Sequence, residues 1–253
     1  MADDADEPLE PHASDQPEYA SAFGIFLTHT DQTTKAIGWL TDFVRGLRLR
    51  RLFVDAGAGE GSTTATLGKF FDRIIAIEPN SALRVELTRR CPEAEIVEAP
   101  IAEARIADSA DFVLCSHVLY HIPQTDWTDT LERLTSWLGV DGTAVVLLGN
   151  RDADSMALLR EFFGRQFDLA RAAQEFKTRH DDWEIVMRLL NCEVVVDDLE
   201  SACTLTRFFL SGHPDWGRTV TRRKVEEYAR SHFTDPRGYR LSCDQDILLL
   251  RRP

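Results

Sequence analysis

From Arg51 onward, short wholly apolar runs alternate with stretches whose apolar residues recur at helical spacing. Leu52-Phe53-Val54, Arg73 to Ile77, Glu95 to Glu98, Asp111 to Cys115 and Thr143 to Leu148 read as strands. Helices are expected from Ser62, from Ser81 to Arg90, and over 125–138. Strands that are apolar at every position must be covered on both faces, and their alternation with helices implies a parallel sheet. Ahead of them, two helices are predicted over 18–28 and 31–46. The second has Ile37, Leu40, Phe43 and Val44 on one side and Thr30 or Asp31 as its cap. After Asn150 the rhythm loosens. Helices are expected at 153–166, 180–190 and 217–232, while 204–210 stays unassigned. Cys192 to Val196 and Tyr239 to Arg251 are predicted as an antiparallel pair at one edge, completing a seven-stranded, mostly parallel sheet.

Composition narrows the class. The 253 residues are 43% hydrophobic and carry a formal charge of −13, which suits a large α/β core and excludes binding through a basic footprint on nucleic acid. The basic residues Arg45, Arg48, Arg50 and Arg51 read as a solvated turn before the first strand. Five cysteines show no CxxC spacing, the pattern of reduced thiols and not of a disulfide or zinc framework. Residues 1–17 are acidic and proline-bearing and read as a disordered tail without signal-peptide character. No apolar stretch approaches the ~18 residues of a membrane span. A cytoplasmic protein with no nucleic-acid or membrane partner is expected.

The chemistry concentrates in Asp55-Ala56-Gly57-Ala58-Gly59-Glu60-Gly61, where an acid closes the first strand and three glycines alternate before a helix. Glycine serves where backbone turns sharply or a ligand leaves no room for a Cβ. A nicotinamide fingerprint, G-x-G-x-x-G, would need glycine at Ser62; here the third glycine is Gly61. Glu78 ends the second strand about 20 residues on, where a carboxylate can accept from ribose hydroxyls; the competing role, capping the next helix, suits Asn80 or Ser81 better. The fourth strand ends in Ser116-His117-Val118-Leu119-Tyr120-His121, polar residues at the edge where cofactor and substrate meet.

These three segments together resemble the class I S-adenosylmethionine-dependent methyltransferases over roughly residues 35 to 150. That resemblance implies a Rossmann-like α/β fold with S-adenosyl-L-methionine as cofactor, held by Asp55, Gly57, Ala58, Gly59, Glu78, Pro79, Pro100, Ile101 and Ser116. It implies one domain over 18–253: a helical lid at 18–46, a cofactor-binding half at 51–150 and a substrate-side half at 151–253. A further likeness is to the histamine N-methyltransferase family, through Tyr19 to Thr30, Leu119-Tyr120 and Asp181-Asp182-Trp183. The chain departs from that family where substrate is chosen: Gln32 beside Asp31, His117, His121, Met156 and Arg160 replace its characteristic groups. Histamine itself is therefore not implied.

For the acceptor side, Tyr19, Phe23, Gln32, His117, Tyr120 and Arg160 are the expected substrate contacts, with His117, Tyr120 and His121 as catalytic candidates. His117 and His121 are four apart and would share a face if the segment coils; histidine can orient a substrate or act as a base near neutral pH. The plainer role for His121 is packing at the helix start, for Arg160 a solvated position, and for His29 a surface position. Trp183 reads as a helix-start anchor, and His213 and Trp216 as parts of a loop. No metal set is visible, since two histidines lack a third ligand. Methyl transfer to a small molecule at nitrogen is the reading, with oxygen or carbon as alternatives. A nicotinamide-dependent oxidoreductase and a non-methylating cofactor binder are the readings from other classes.

Overall fold

The computed structural model describes residues 8–10, 17–211 and 220–252. Most of the expected acidic tail, the Tyr19 side chain and the His213–Trp216 loop lie outside the described residues. The chain divides into two compact units that interleave along the sequence.

The larger unit comprises residues 36–148, 168–190 and 245–253. Its strands are β1 (Leu52–Ala56), β2 (Arg73–Ile77), β3 (Glu95–Val97), β4 (Ala110–Ser116), β5 (Leu138–Gly149), β6 (Glu184–Leu190) and, late in the chain, β10 (Gln245–Arg251). They form one seven-stranded sheet in the order β3-β2-β1-β4-β5-β10-β6. The β1/β2, β1/β4, β2/β3 and β4/β5 pairings are parallel, and β10 runs antiparallel to β6. The order steps outward from β1 in both directions, so the carboxyl ends of β1 and β4 form a switch point, where ligands of such sheets bind.

Helix α2 (Gln32–Arg45) enters this unit at Ala36. Its Ala36, Leu40 and Val44 pack with Phe53 of β1, Phe112 and Leu114 of β4, Val145 and Leu147 of β5, and Ile247 and Leu249 of β10. The i, i+4, i+8 spacing on the helix and the i, i+2 spacing on each strand put these residues on facing surfaces. Helices α3 (Ser62–Gly68), α4 (Ser81–Arg90), α5 (Trp127–Ser136) and α7 (Leu169–Arg179) complete the unit. At the amino-terminal end of the sheet the buried Asp111 carboxylate accepts from the Arg51 backbone N–H (2.6 Å), the Arg51 guanidinium (2.7 Å) and the Leu52 N–H (3.3 Å). Burial alone would raise its pKa, but these donors outweigh that and hold it low.

The second unit, residues 1–35, 149–167 and 191–244, holds α1 (Pro17–His29), α6 (Asp154–Phe163), α8 (Leu199–Ser211) and α9 (Arg222–His232). With them is a three-stranded antiparallel sheet of β7 (Glu193–Val196), β9 (Gly238–Ser242) and β8 (Thr234–Asp235), in the order β7-β9-β8. Phe26 of α1 is buried between Phe208 and Phe209 of α8, at ring-centroid distances of 5.7 and 5.5 Å.

Several expectations are corrected here. The antiparallel edge pair is β6 with β10, not Cys192–Val196 with Tyr239–Arg251. The first of those segments belongs to the separate small sheet, and the second breaks at Cys243-Asp244 into β9 and β10, one in each unit. The expected helix at 180–190 is strand β6: Ile185 and Val186 are β-branched, and pairing with β10 outweighs the helix formers around them. Trp183 is therefore not at a helix start. It is buried before β6, edge-on to Phe176 at 5.7 Å. Segment 204–210 is helical within α8, and α7 went unforeseen. No helix among the described residues is long and apolar enough to cross a membrane.

Candidate active site

The loop after β1 turns through three left-handed glycines, Gly57 (φ 90°), Gly59 (φ 56°) and Gly61 (φ 82°). Their roles differ. A Cβ on Gly57 would stand 2.3 Å from Val118 Cγ2, and one on Gly61 would stand 2.7 Å from Leu87 Cδ1, so both are small because the protein packs against them. A Cβ on Gly59 would meet nothing within 4 Å. Gly59 alone of the three faces open space, and its backbone amide is held below by Glu78.

Glu78 organises the loop. Its backbone N–H donates to the Val97 carbonyl (3.1 Å), fixing it at the end of β2. One carboxylate oxygen accepts from the Gly59 N–H (2.9 Å) and the other from the Asn80 N–H (2.8 Å). A carboxylate has about four lone-pair positions, so roughly two remain for a ligand. Asn80 itself caps α4, accepting from the Ala82 N–H at 2.9 Å, and this leaves Glu78 free of capping duty. Asp55 lies deeper, 2% exposed, and accepts from the Thr64 hydroxyl at 2.6 Å. Burial raises its pKa to about 6, the Thr64 bond opposes that, and the charge of Glu78 adds to it. Two buried carboxylates under one open glycine turn favour a ligand that carries positive charge and vicinal hydroxyls. These residues fit S-adenosylmethionine on both counts.

Beyond β4 the backbone reverses at His117, which holds φ 58°, uncommon for a side-chain-bearing residue. Its N–H continues the ladder to the Leu147 carbonyl of β5 (2.9 Å). A single 3-10 turn follows over Leu119–His121. The indole N–H of the buried Trp127 pins that turn, donating to the Leu119 and Ile122 carbonyls at 3.0 Å each. Tyr120 stacks on the His117 ring, centroids 5.9 Å apart and planes 21° from parallel. Burial pushes the His117 pKa down to about 4, opposed by a contact with Gln245. The imidazole is therefore neutral through the physiological range.

The expectation that His117 and His121 share a helical face is corrected: the left-handed residue and the 3-10 turn break that spacing, and His121 is exposed. Among the remaining cofactor candidates, Ile101 is buried, Ser116 half-buried, and Pro79 and Pro100 exposed. Phe23, Gln32 and Arg160 fall in the second unit. There Phe23 stacks on Phe208 at 5.8 Å, the Gln32 amide donates to the Cys243 carbonyl at 2.8 Å, and Arg160 is exposed on α6. Sequence reasoning missed Thr64, Val118, Trp127 and Gln245. A hydroxyl nine residues after the motif acid was the one available signal, for Thr64.

Comparison with known proteins agrees with this geometry. Residues 54–146 match the family model described as a methyltransferase domain. An uncharacterized methyltransferase of Alkaliphilus oremlandii is 26% identical over 129 residues, 51% of this chain and 56% of that relative, so the match spans little more than half of the relative's length. Among solved structures, the N-methyltransferase NodS of Bradyrhizobium japonicum in complex with S-adenosyl-L-homocysteine is similar. Its TM-score is 0.52 at 12% identity, covering 94% of this chain and 89% of that one. The YcgJ protein of Bacillus subtilis aligns with a TM-score of 0.59 at 13% identity, over 86% and 98%. The sheet unit carries the class I methyltransferase fold. The matched residues 54–146 lie within that unit.

Proposed function

We propose that this chain is an enzyme that methylates a nitrogen atom of a small, uncharged molecule. The open turn at Gly59 above the Glu78 carboxylate carries the cofactor half of this reading. Bound there, S-adenosylmethionine supplies a methyl group already activated on a sulfonium sulfur. Glu78 holds ribose hydroxyls on its two spare lone-pair positions, Ser116, Pro79, Pro100 and Ile101 border the cofactor, and Asp55 supplies negative potential below the loop. In-line displacement needs alignment and exclusion of water more than it needs acid or base strength.

His117 and Tyr120 supply the acceptor side. An imidazole with a pKa near 4 holds a proton poorly, so it orients a nucleophile instead of carrying its proton. An aliphatic amine, with a pKa near ~10 like that of lysine, arrives protonated and needs a stronger base. A ring nitrogen or aromatic amine is neutral at pH 7 and needs only a hydrogen bond. The N-terminal likeness to histamine N-methyltransferases and the structural likeness to the N-methyltransferase NodS support nitrogen as the acceptor atom. The net charge of −13 supports a small molecule over nucleic acid.

Calorimetry with S-adenosylmethionine, followed by a turnover assay for S-adenosylhomocysteine across a panel of N-heterocycles, aliphatic amines and phenols, tests this reading. Turnover with N-heterocycles is the expected result. Absence of cofactor binding by the intact protein would end it, and preference for phenols would move the acceptor to oxygen.

A further inference from the structure

Gln245 opens β10 and is 1% exposed, yet its Oε1 atom is buried without a well-aligned hydrogen-bond partner among the described residues. A buried amide oxygen left unpaired is costly, so such an atom asks for an explanation. Its place in the sheet supplies one. β10 neighbours β5, and its start lies where β5 ends: the Asn150 N–H donates to the Asp244 carbonyl at 2.8 Å. His117 is held to the same end of β5 by its bond to the Leu147 carbonyl, and its ring lies within hydrogen-bonding reach of Gln245. A strand remote in sequence thus brings an unpaired acceptor to the imidazole after β4.

We infer that Gln245 is a positioning residue: its Oε1 takes the N–H of one His117 ring nitrogen, fixing the tautomer so that the other nitrogen is a bare acceptor for the N–H of the methyl acceptor. A neutral imidazole has one donor and one acceptor nitrogen, and the partner of one decides the role of the other. Stacking on Tyr120 and the strained backbone hold the ring plane, while the amide chooses which nitrogen carries the proton. Burial and Gln245 are the two causes acting on the His117 pKa, and no charged side chain contributes to it. An amide acceptor favours the charged ring only weakly, where a carboxylate would favour it strongly, so burial outweighs it. That explains why glutamine stands here and how the imidazole stays neutral.

The role in methyl transfer rests on the function proposed above, but the state of the ring does not, and the two can be tested apart. In protein carrying 15N-labelled histidine, long-range 1H–15N spectra of His117 should show one dominant neutral tautomer and a titration midpoint near 4. Gln245→Met, which keeps the volume and removes the acceptor, should mix the tautomers. Gln245→Glu should keep the single tautomer and raise the midpoint by more than one pH unit. With an acceptor identified by the turnover panel, Gln245→Met should lower kcat about tenfold and leave the affinity for S-adenosylhomocysteine within twofold, and Gln245→Asn should restore part of the rate. An unchanged tautomer and midpoint in Gln245→Met, or an unprotonated nitrogen facing Gln245 in the unaltered protein, would overturn the inference whether or not the cofactor binds.

Discussion

Val118 closes on Gly57: the valine Cγ2 occupies the place where a Cβ on the glycine would stand, 2.3 Å away. The first glycine of the cofactor loop is thus fixed by the turn after β4, which ties the cofactor and acceptor sides together. Gly57→Ala should destabilise the fold by about 2–4 kcal/mol, through overpacking and the positive φ together. Val118→Ala added to it should recover the overpacking part alone, about half. Urea denaturation of both variants measures this, and no recovery in the double variant would mean that backbone strain is the whole effect.

Gly59 should behave in the opposite way. Its φ of 56° lies in the left-handed region, but nothing stands near its missing Cβ. Gly59→Ala should cost only about 1 kcal/mol of stability while lowering cofactor affinity at least tenfold, because the methyl group enters the space over Glu78. Melting temperature and calorimetry on the same preparation separate these effects. A variant that binds normally would show that this space is not the cofactor's.

Glu78→Ala removes the acceptor of two backbone amides as well as the ribose contacts. Loss of hydrogen bonds to a charged group predicts weaker S-adenosylmethionine binding by about 1.5–3 kcal/mol. Glu78→Gln keeps one amide acceptor and should fall between it and the unaltered protein. Equal affinities across the three proteins would remove Glu78 from the site.

Asp55 predicts a pH dependence. Its folded pKa of about 6 lies above the ordinary aspartate value of 3.8, because burial favours the protonated form. The associated stability is fully present below about pH 4 and is lost as pH rises through 6. The difference of about two units amounts to roughly 3 kcal/mol at pH 8. Asp55→Asn, which can still accept from Thr64, should therefore be more stable than the unaltered protein at pH 8, with the gain vanishing towards pH 4. It should also bind S-adenosylmethionine with less preference over S-adenosylhomocysteine, which lacks the sulfonium charge. Denaturation at the two pH values decides it: a constant difference would place the effect in packing, not charge.

The sequence disclosed what local chemistry dictates. The apolar strands β1, β2, β4 and β5, the glycine turn and the acid ending β2 all read directly, because each depends on residues adjacent in the chain. The edge of the sheet did not. Residues 184–190 mix β-branched with helix-forming side chains, and only pairing with β10, some sixty residues later, settles them as strand. The run from Tyr239 to Arg251 read as one strand on the strength of the apolar Ile247 to Leu250, yet the chain passes from one unit to the other after Asp244. Gln245 was invisible for the same reason: a lone glutamine acquires its meaning from a histidine that folding brings beside it.

His117 allows backbone strain and chemistry to be separated. At φ 58° a residue with a Cβ pays roughly 1–2 kcal/mol that glycine does not. His117→Gly should therefore be about 1 kcal/mol more stable than His117→Ala, and His117→Asn should fold well because asparagine tolerates this region. All three also remove a pH liability. The folded pKa of about 4 lies below the ordinary 6.5, so the stability tied to the neutral ring is present above pH 6.5 and is lost as pH falls through 4. The variants should lose less stability than the unaltered protein between pH 6.5 and 4. Turnover, measured with an acceptor from the panel, should drop at least tenfold in His117→Gly and His117→Ala, and less in His117→Asn, which keeps a donor and an acceptor. Cofactor affinity should stay within twofold throughout. If His117→Gly instead loses stability, cofactor and turnover together, the strained histidine holds the loop and does not face the acceptor.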